Sequence, residues 1–497
     1  MWNARQNRRI KVESSTYIRR QRPCCTISHP VETQHARLKP ELRVRDLVGM
    51  QVIFVVALNV CGYAAKQGPS HVLLWLLAVA LFYIPLAAVV IRLSRVIPLE
   101  GGVYQWVKLG LSPFAGYMAA WSFAVYCIFF SASYGSQLAA GFAYAAGPKL
   151  AWLGTNSWFA LLFVFALSGL AYFLNVRGLG AVKWFSGTGA IITLVIFVSI
   201  LALLLRSFRQ NALGASAPFT FALPGLSILS VNVFSKMALF ALSGFDQCGV
   251  FLEECRKPKN DVAKSVLISA PLIALMYILS TAGVLAYTAP QNVDLAAPVA
   301  QTLQRGFGAS AVAGPFTALT ILGFNAMLLA TGILMVGMVA RLPMVAGWDG
   351  ILPAWWSELH PTFRTPAKAI AVVAAGLAIA GALSLLGAEN QEAIQVLFGI
   401  AYGCYCVMYL LLFGAVLFGF RGGPTRTDRM LRVQALAAFS VMIVCLVFQV
   451  VPVGDVANLR VFAVKVLAGI CAASGLGAFF YWRGVQGVRA TTPASIS

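Results

Sequence analysis

The sequence predicts an all-α polytopic membrane protein with twelve transmembrane helices. Three observations carry this. The chain of 497 residues is 60% hydrophobic and only 11% charged, and its mean hydropathy is +0.81, a balance no soluble globular domain shows. Several apolar runs reach the ~20 residues that a helix needs to cross a bilayer. The 37 Lys and Arg residues collect in the N-terminal tail and in short loops, as topology signals do. A membrane β-barrel would show short alternating segments instead. The formal charge of +21 therefore reads as membrane orientation, not as a nucleic-acid surface.

Residues 1–45 are polar and basic and lack an apolar stretch, so they are no secretory signal peptide. They are expected to form a disordered cytoplasmic tail. Contact with anionic lipid, or a start codon assigned upstream of the true one, are the alternatives. Spans then follow at 47–66, 72–92, 114–143, 157–175, 183–205, 232–252, 265–288, 312–340, 368–387, 394–419, 431–452 and 461–482, with 484–497 as a short tail. An even count puts both termini on one side. With that side cytoplasmic, the cytoplasmic tails and loops hold 29 basic residues and the external loops 7, which is the positive-inside asymmetry. The expected location is the cell membrane, plasma or inner, with multiple passes.

The sixth span carries the most informative segment, Phe240-Ala241-Leu242-Ser243-Gly244-Phe245-Asp246. A Ser-Gly interruption and a carboxylate stand in the middle of an apolar run, where an acidic side chain costs about 2.5–3.5 kcal/mol on insertion scales. Such a group faces a partner or a watery cavity. Asp246 could attract the amino group of a substrate, exchange protons, or pair with a lysine such as Lys183 or Lys236. Lys236 is ten residues away, about 15 Å along a helix, too far for a direct pair.

No catalytic or metal motif is present. Of the ten cysteines seven fall inside apolar segments, where the thiol acts as a small hydrophobe. The four histidines are scattered, and no CxxC, HExxH, GxSxG, Walker A or GxGxxG pattern occurs. Neither an enzyme nor a cofactor is expected.

Several loops carry recognisable spacings. Pro98-Leu99-Glu100-Gly101-Gly102-Val103-Tyr104-Gln105-Trp106 follows the second span, and Asn175-Val176-Arg177-Gly178 with Lys183 follows the fourth. Glu253-Glu254-Cys255-Arg256-Lys257-Pro258 ends the sixth. Arg341-Leu342-Pro343, Asp349-Gly350-Ile351-Leu352-Pro353, His360-Pro361 and Thr365-Pro366 follow the eighth. Together these resemble the amino acid–polyamine–organocation (APC) superfamily of secondary transporters, amino acid permease type, over about residues 45–370.

That resemblance implies a LeuT-like 5+5 inverted repeat, spans 1–5 and 6–10, as a transport core over 46–420, with helices 11 and 12 appended over 421–483. The first helix of each repeat would be broken near the midplane, its freed N–H and C=O groups binding substrate and cations. A break in span 1 matching Ser243-Gly244 is expected near Asn59-Val60-Cys61-Gly62. Here the chain departs from the family's Gly-rich stretch, and Gly62 as a packing contact is the alternative. Expected substrate-binding residues are Asn59, Val60, Cys61, Gly62, Ala241, Leu242, Ser243, Gly244, Phe245 and Asp246, with Tyr126, Tyr134 and Asn325 as secondary candidates. For the tyrosines the alternative is packing, and for Asn325 an interhelical hydrogen bond.

Lys183 resembles the lysine that stands in the sodium position of sodium-independent members. With Asp246 it is the expected coupling residue, implying protons or exchange; a loop lysine obeying positive-inside is the alternative. Glu100, Glu253 and Arg341 lie at cytoplasmic ends, as gate or structural charges. Gly399 and Gly403 have the GxxxG spacing that permits close helix contact. The function implied is an amino acid permease working by alternating access on a small-molecule substrate in the lipid bilayer, as monomer or dimer. A polyamine or organic-cation carrier of the same fold and a non-transporting ligand sensor are the rivals.

Overall fold

The computed structural model describes residues 43–97, 102–209, 219–221, 224–245, 258–308, 313–345, 351–386, 388–420, 428–454 and 456–491. Among them the protein is all-helical. Ten helices are long and apolar enough to cross a membrane: Gly68–Val96, Pro113–Ala146, Ser157–Arg177, Ile191–Arg209, Asn260–Tyr287, Gly314–Ala340, Ala367–Ser384, Asn390–Gly419, Arg429–Phe448 and Leu459–Gln486. These coincide with expected spans 2–5 and 7–12. Span 1 falls outside this set because it is interrupted, and span 6 is described only up to residue 245. Span 1 is an α-helix Val44–Val55, a 3₁₀ turn Leu58–Val60 and a short helix Cys61–Ala65. Span 6 is described as the apolar helix Ile228–Ala241.

Local chemistry sets several helix starts. Ser112 accepts a hydrogen bond from the Ala115 amide, with Pro113 at the first helical position. Asn156 accepts from the Trp158 and Phe159 amides, and Ser227 from that of Ser230. Two short amphipathic helices, Val103–Gly110 and Pro298–Phe307, were not expected. Hydropathy detects segments long enough to span, and these are too short.

Spans 3 and 10 are the inner pillars, mostly buried, whereas span 12 is mostly exposed. Outward rows such as Trp158, Leu162 and Phe165, or Ile191, Val195 and Val198, are exposed. Those side chains face lipid, which offers helices no hydrophobic reason to associate, so small residues and buried polar contacts must hold the bundle. Gly135 lies so close to span 4 that a Cβ there would come within 2.8 Å of Val164 Cα. Gly403 faces Ile470, and Gly399 faces Val466, so the GxxxG face seats span 12. Asn175 donates to the Ile333 carbonyl at 2.8 Å, Ser168 to that of Ala374 at 2.7 Å, and Gln51 to Ser265 at 3.1 Å. These tie span 4 to spans 8 and 9, and span 1 to span 7.

Candidate functional site

The interruption of span 1 lies at Val56-Ala57, just before Asn59. Nothing in Val55-Val56-Ala57-Leu58 is a helix breaker by type. The discontinuity is held by Tyr277 from span 7, whose hydroxyl donates to the Val55 carbonyl at 2.5 Å and accepts from the Ala57 amide at 2.9 Å. The Ala57 amide also reaches Val55 O at 3.0 Å, closing a three-residue turn. One phenol thus meets two of the backbone groups that the broken ladder releases. Asn59 and Val60 sit in the 3₁₀ turn, while Cys61 and Gly62 have resumed the α-helix. Gly62 is a packing contact, since a Cβ there would stand 2.9 Å from Pro298 Cγ. Asn59 Nδ2 donates to Gln137 Oε1 at 2.7 Å, and Gln137 Nε2 to Ser133 Oγ at 3.0 Å, linking the break to span 3. The Asn59 Oδ1 atom is buried with no hydrogen bond.

Span 6 breaks differently. A π-helical turn over Met237–Ala241 is followed by Leu242 at φ −105° and Gly244 at φ +121°, a conformation only glycine adopts without strain. The wider turn leaves backbone groups free, and tyrosines from span 10 meet two of them. Tyr402 Oη donates to Phe240 O at 3.1 Å, and the Gly244 amide donates to Tyr409 Oη at 3.1 Å. Ala241, Leu242 and Ser243 are buried, and Phe245 stacks on Tyr83 of span 2 at 4.7 Å. π-turns often mark functional positions.

Around the breaks lies an aromatic cluster. Phe240 stacks on Tyr402 at 3.8 Å, Tyr126 on Tyr405 at 4.0 Å, and Tyr63 meets Phe240 edge-on at 5.3 Å. Tyr134 packs edge-to-face on Phe130 at 5.1 Å and lies against Gly332 of span 8. Asn325 Nδ2 donates to Leu138 O at 3.3 Å, and its amide fills the space over Gly141, so it joins span 8 to span 3. Of the expected residues, the fold brings together Asn59, the Ala241–Phe245 segment and Tyr126. Gly62, Tyr134 and Asn325 make contacts between helices. Asp246, Glu100 and Glu253 lie outside the described residues, as do the side chains of Lys183 and Arg341.

Sequence reasoning missed Tyr277, Tyr402, Tyr409, Gln395 and the burial of Lys236. One signal was available: Tyr402, Tyr405 and Tyr409 are spaced three and four apart, which aligns them on one helix face. Tyr277 has no such signal.

A broken-helix membrane bundle of this kind can be compared with known proteins. The family described as "Amino acid permease" matches residues 46–471. An uncharacterized transporter of Legionella pneumophila is 25% identical over 76% of this chain and 81% of its own. The methylthioribose transporter of Bacillus subtilis is 26% identical over 70% of this chain and 78% of its own. A low-affinity putrescine importer of Escherichia coli is 24% identical over 63% of this chain and 65% of its own. With the match spanning the whole helical core, and with relatives that are transporters rather than enzymes, this chain is a multi-pass membrane transporter and belongs to the amino acid permease family.

Proposed function

We propose that the protein is a secondary active transporter that carries amino acids by alternating access, with solute held between the interruptions of spans 1 and 6. The observation that carries this reading is the pair of breaks whose released backbone groups are met by phenols. A carboxylate is a stronger acceptor than a phenol oxygen. A solute carboxylate would therefore compete with Tyr409 for the Gly244 amide. Asp246, beside this segment in sequence, would receive the solute's amino group or carry a proton. Lys183, by its resemblance to the lysine of sodium-independent members, would make sodium unnecessary, leaving protons or exchange as the coupling. The basic-residue asymmetry supports cytoplasmic termini in the cell membrane.

The likeness to a putrescine importer favours a second reading, a polyamine or organic-cation carrier in which Asp246 attracts an ammonium group. Uptake into proteoliposomes separates the two. The first reading expects uptake of at least one amino acid, driven by an inward proton gradient or by exchange and indifferent to sodium. Putrescine uptake that no amino acid inhibits would establish the second. Ligand-induced thermal stabilisation without any uptake would overturn both and leave a sensor.

A further inference from the structure

Lys236 stands at the end of the α-helical part of span 6, just before the π-turn that leads into the break, yet it is only 4% exposed. Its ammonium donates to Phe448 O at 2.7 Å and to Gln449 Oε1 at 3.2 Å, and lies 5.4 Å from the Phe240 ring centroid. Neither oxygen is charged. Among the described residues no carboxylate pairs with it, and its third N–H has no acceptor. A buried ammonium without a counter-charge is costly.

Lys236 lines a small cavity with Tyr63, Phe240, Gln395, Phe398 and Phe462, roomy enough for about one water-sized sphere. Two further polar groups in that wall are buried and lack hydrogen bonds: Gln395 Nε2 and Tyr63 Oη. The Gln395 amide orientation is set by its other end, because Oε1 accepts from the Val453 amide at 3.0 Å and the Gly454 amide at 3.1 Å. Its nitrogen, a pure donor, is therefore the end left over. Gln449 is oriented too, its Nε2 donating to Cys445 O at 2.9 Å. Lys236, Gln395 and Tyr63, each with an N–H or O–H that lacks an acceptor, thus line one cavity.

We propose that Lys236, Gln395 and Tyr63 form an anion subsite, bordered by the Phe240 and Phe398 rings, that takes one small acceptor: a solute carboxylate oxygen or a halide ion. Spare donors on all three residues select an acceptor, and an ammonium without a counter-charge favours a negative one. The carboxylate source rests on the amino-acid reading above and makes this subsite, rather than the Gly244 amide, the seat of that carboxylate; the halide source does neither.

The test uses full-length protein and three variants, Lys236→Met, Lys236→Arg and Gln395→Leu. Thermal stability is measured in sodium chloride and in sodium gluconate. Uptake is measured for the best amino acid of the twenty and for its carboxamide. If the anion is the solute's, wild type prefers acid over amide at least tenfold, Lys236→Met and Gln395→Leu lose most of that preference, and Lys236→Arg keeps part of it. If the anion is a halide, chloride stabilises wild type and Lys236→Arg but not Lys236→Met, whether or not any amino acid is transported. Folded Lys236→Met that keeps both the acid preference and the chloride response of wild type overturns the subsite. So does a wild type with neither, the cavity then holding a structural water only. Amino-acid transport failing while the chloride response follows Lys236 would defeat the functional reading and leave the subsite standing.

Discussion

Removing the Tyr277 hydroxyl should loosen the interruption of span 1 without disturbing the packing around it. In Tyr277→Phe the ring keeps its stack on Trp75 at 5.1 Å. Trp75 keeps its hydrogen bond to Thr281 Oγ1 at 3.2 Å, and Thr281 its own to the Tyr277 carbonyl at 2.7 Å. What disappears is the pair of hydrogen bonds to Val55 O and Ala57 N. A buried group left wholly unpaired costs about 1–3 kcal/mol. Here the loss is softened, because Ala57 N and Val55 O retain each other at 3.0 Å. Two hydrogen bonds at about 1 kcal/mol each then set the expected destabilisation at about 2 kcal/mol. The assay is thermal or denaturant unfolding of purified protein in detergent, with Tyr83→Phe as control. The Tyr83 hydroxyl is buried with no hydrogen bond, so its removal takes away no bond and should not destabilise the protein. A loss of stability in Tyr277→Phe no greater than in Tyr83→Phe would refute the view that a phenol from span 7 holds the break.

Three further outcomes are expected. Gly244→Ala places a side chain at φ +121° and should cost about 1–3 kcal/mol and reduce uptake, read by unfolding and by proteoliposome transport. Gly403→Val would drive a side chain into Ile470, whose Cδ1 lies 2.2 Å from the position of a Cβ; it should destabilise by about 1–3 kcal/mol, and Ile470→Ala should restore part of that loss in the double variant. Asp246→Asn should abolish or redirect uptake while the protein still reaches the membrane, so uptake equal to wild type would remove the role proposed for that carboxylate.

Much of the architecture could be read from composition because the bilayer imposes one requirement everywhere: each backbone group must be satisfied within its own helix or by protein. Apolar runs of sufficient length therefore became spans, and the ten uninterrupted helices lie where they were expected. The Ser243-Gly244 interruption was visible for the same reason, since glycine at positive φ has a local cause. The break in span 1 was displaced from Gly62 towards Val56-Ala57, because its cause is not local. Gly62 attracted attention by residue type, but its missing side chain makes room for Pro298. Asn325 could be recognised as an amide needing a partner, but not that the partner would be the Leu138 carbonyl. Lys236 was counted as an external basic residue from its position in the hydropathy trace, whereas the ends of spans 10 and 11 fold over it.

By itself the sequence determined a helical membrane transporter of the permease type and the position of the break in span 6, through hydropathy, loop signatures and one glycine. Only the tertiary structure decided where span 1 opens and what occupies the openings. The groups that satisfy the broken backbone are the hydroxyls of Tyr277, Tyr402 and Tyr409, and each lies more than 150 residues from the atom it meets. A hydrogen bond across that separation leaves no trace in composition or periodicity. It exists because a buried N–H or C=O must find a partner, and the packed bundle supplies one.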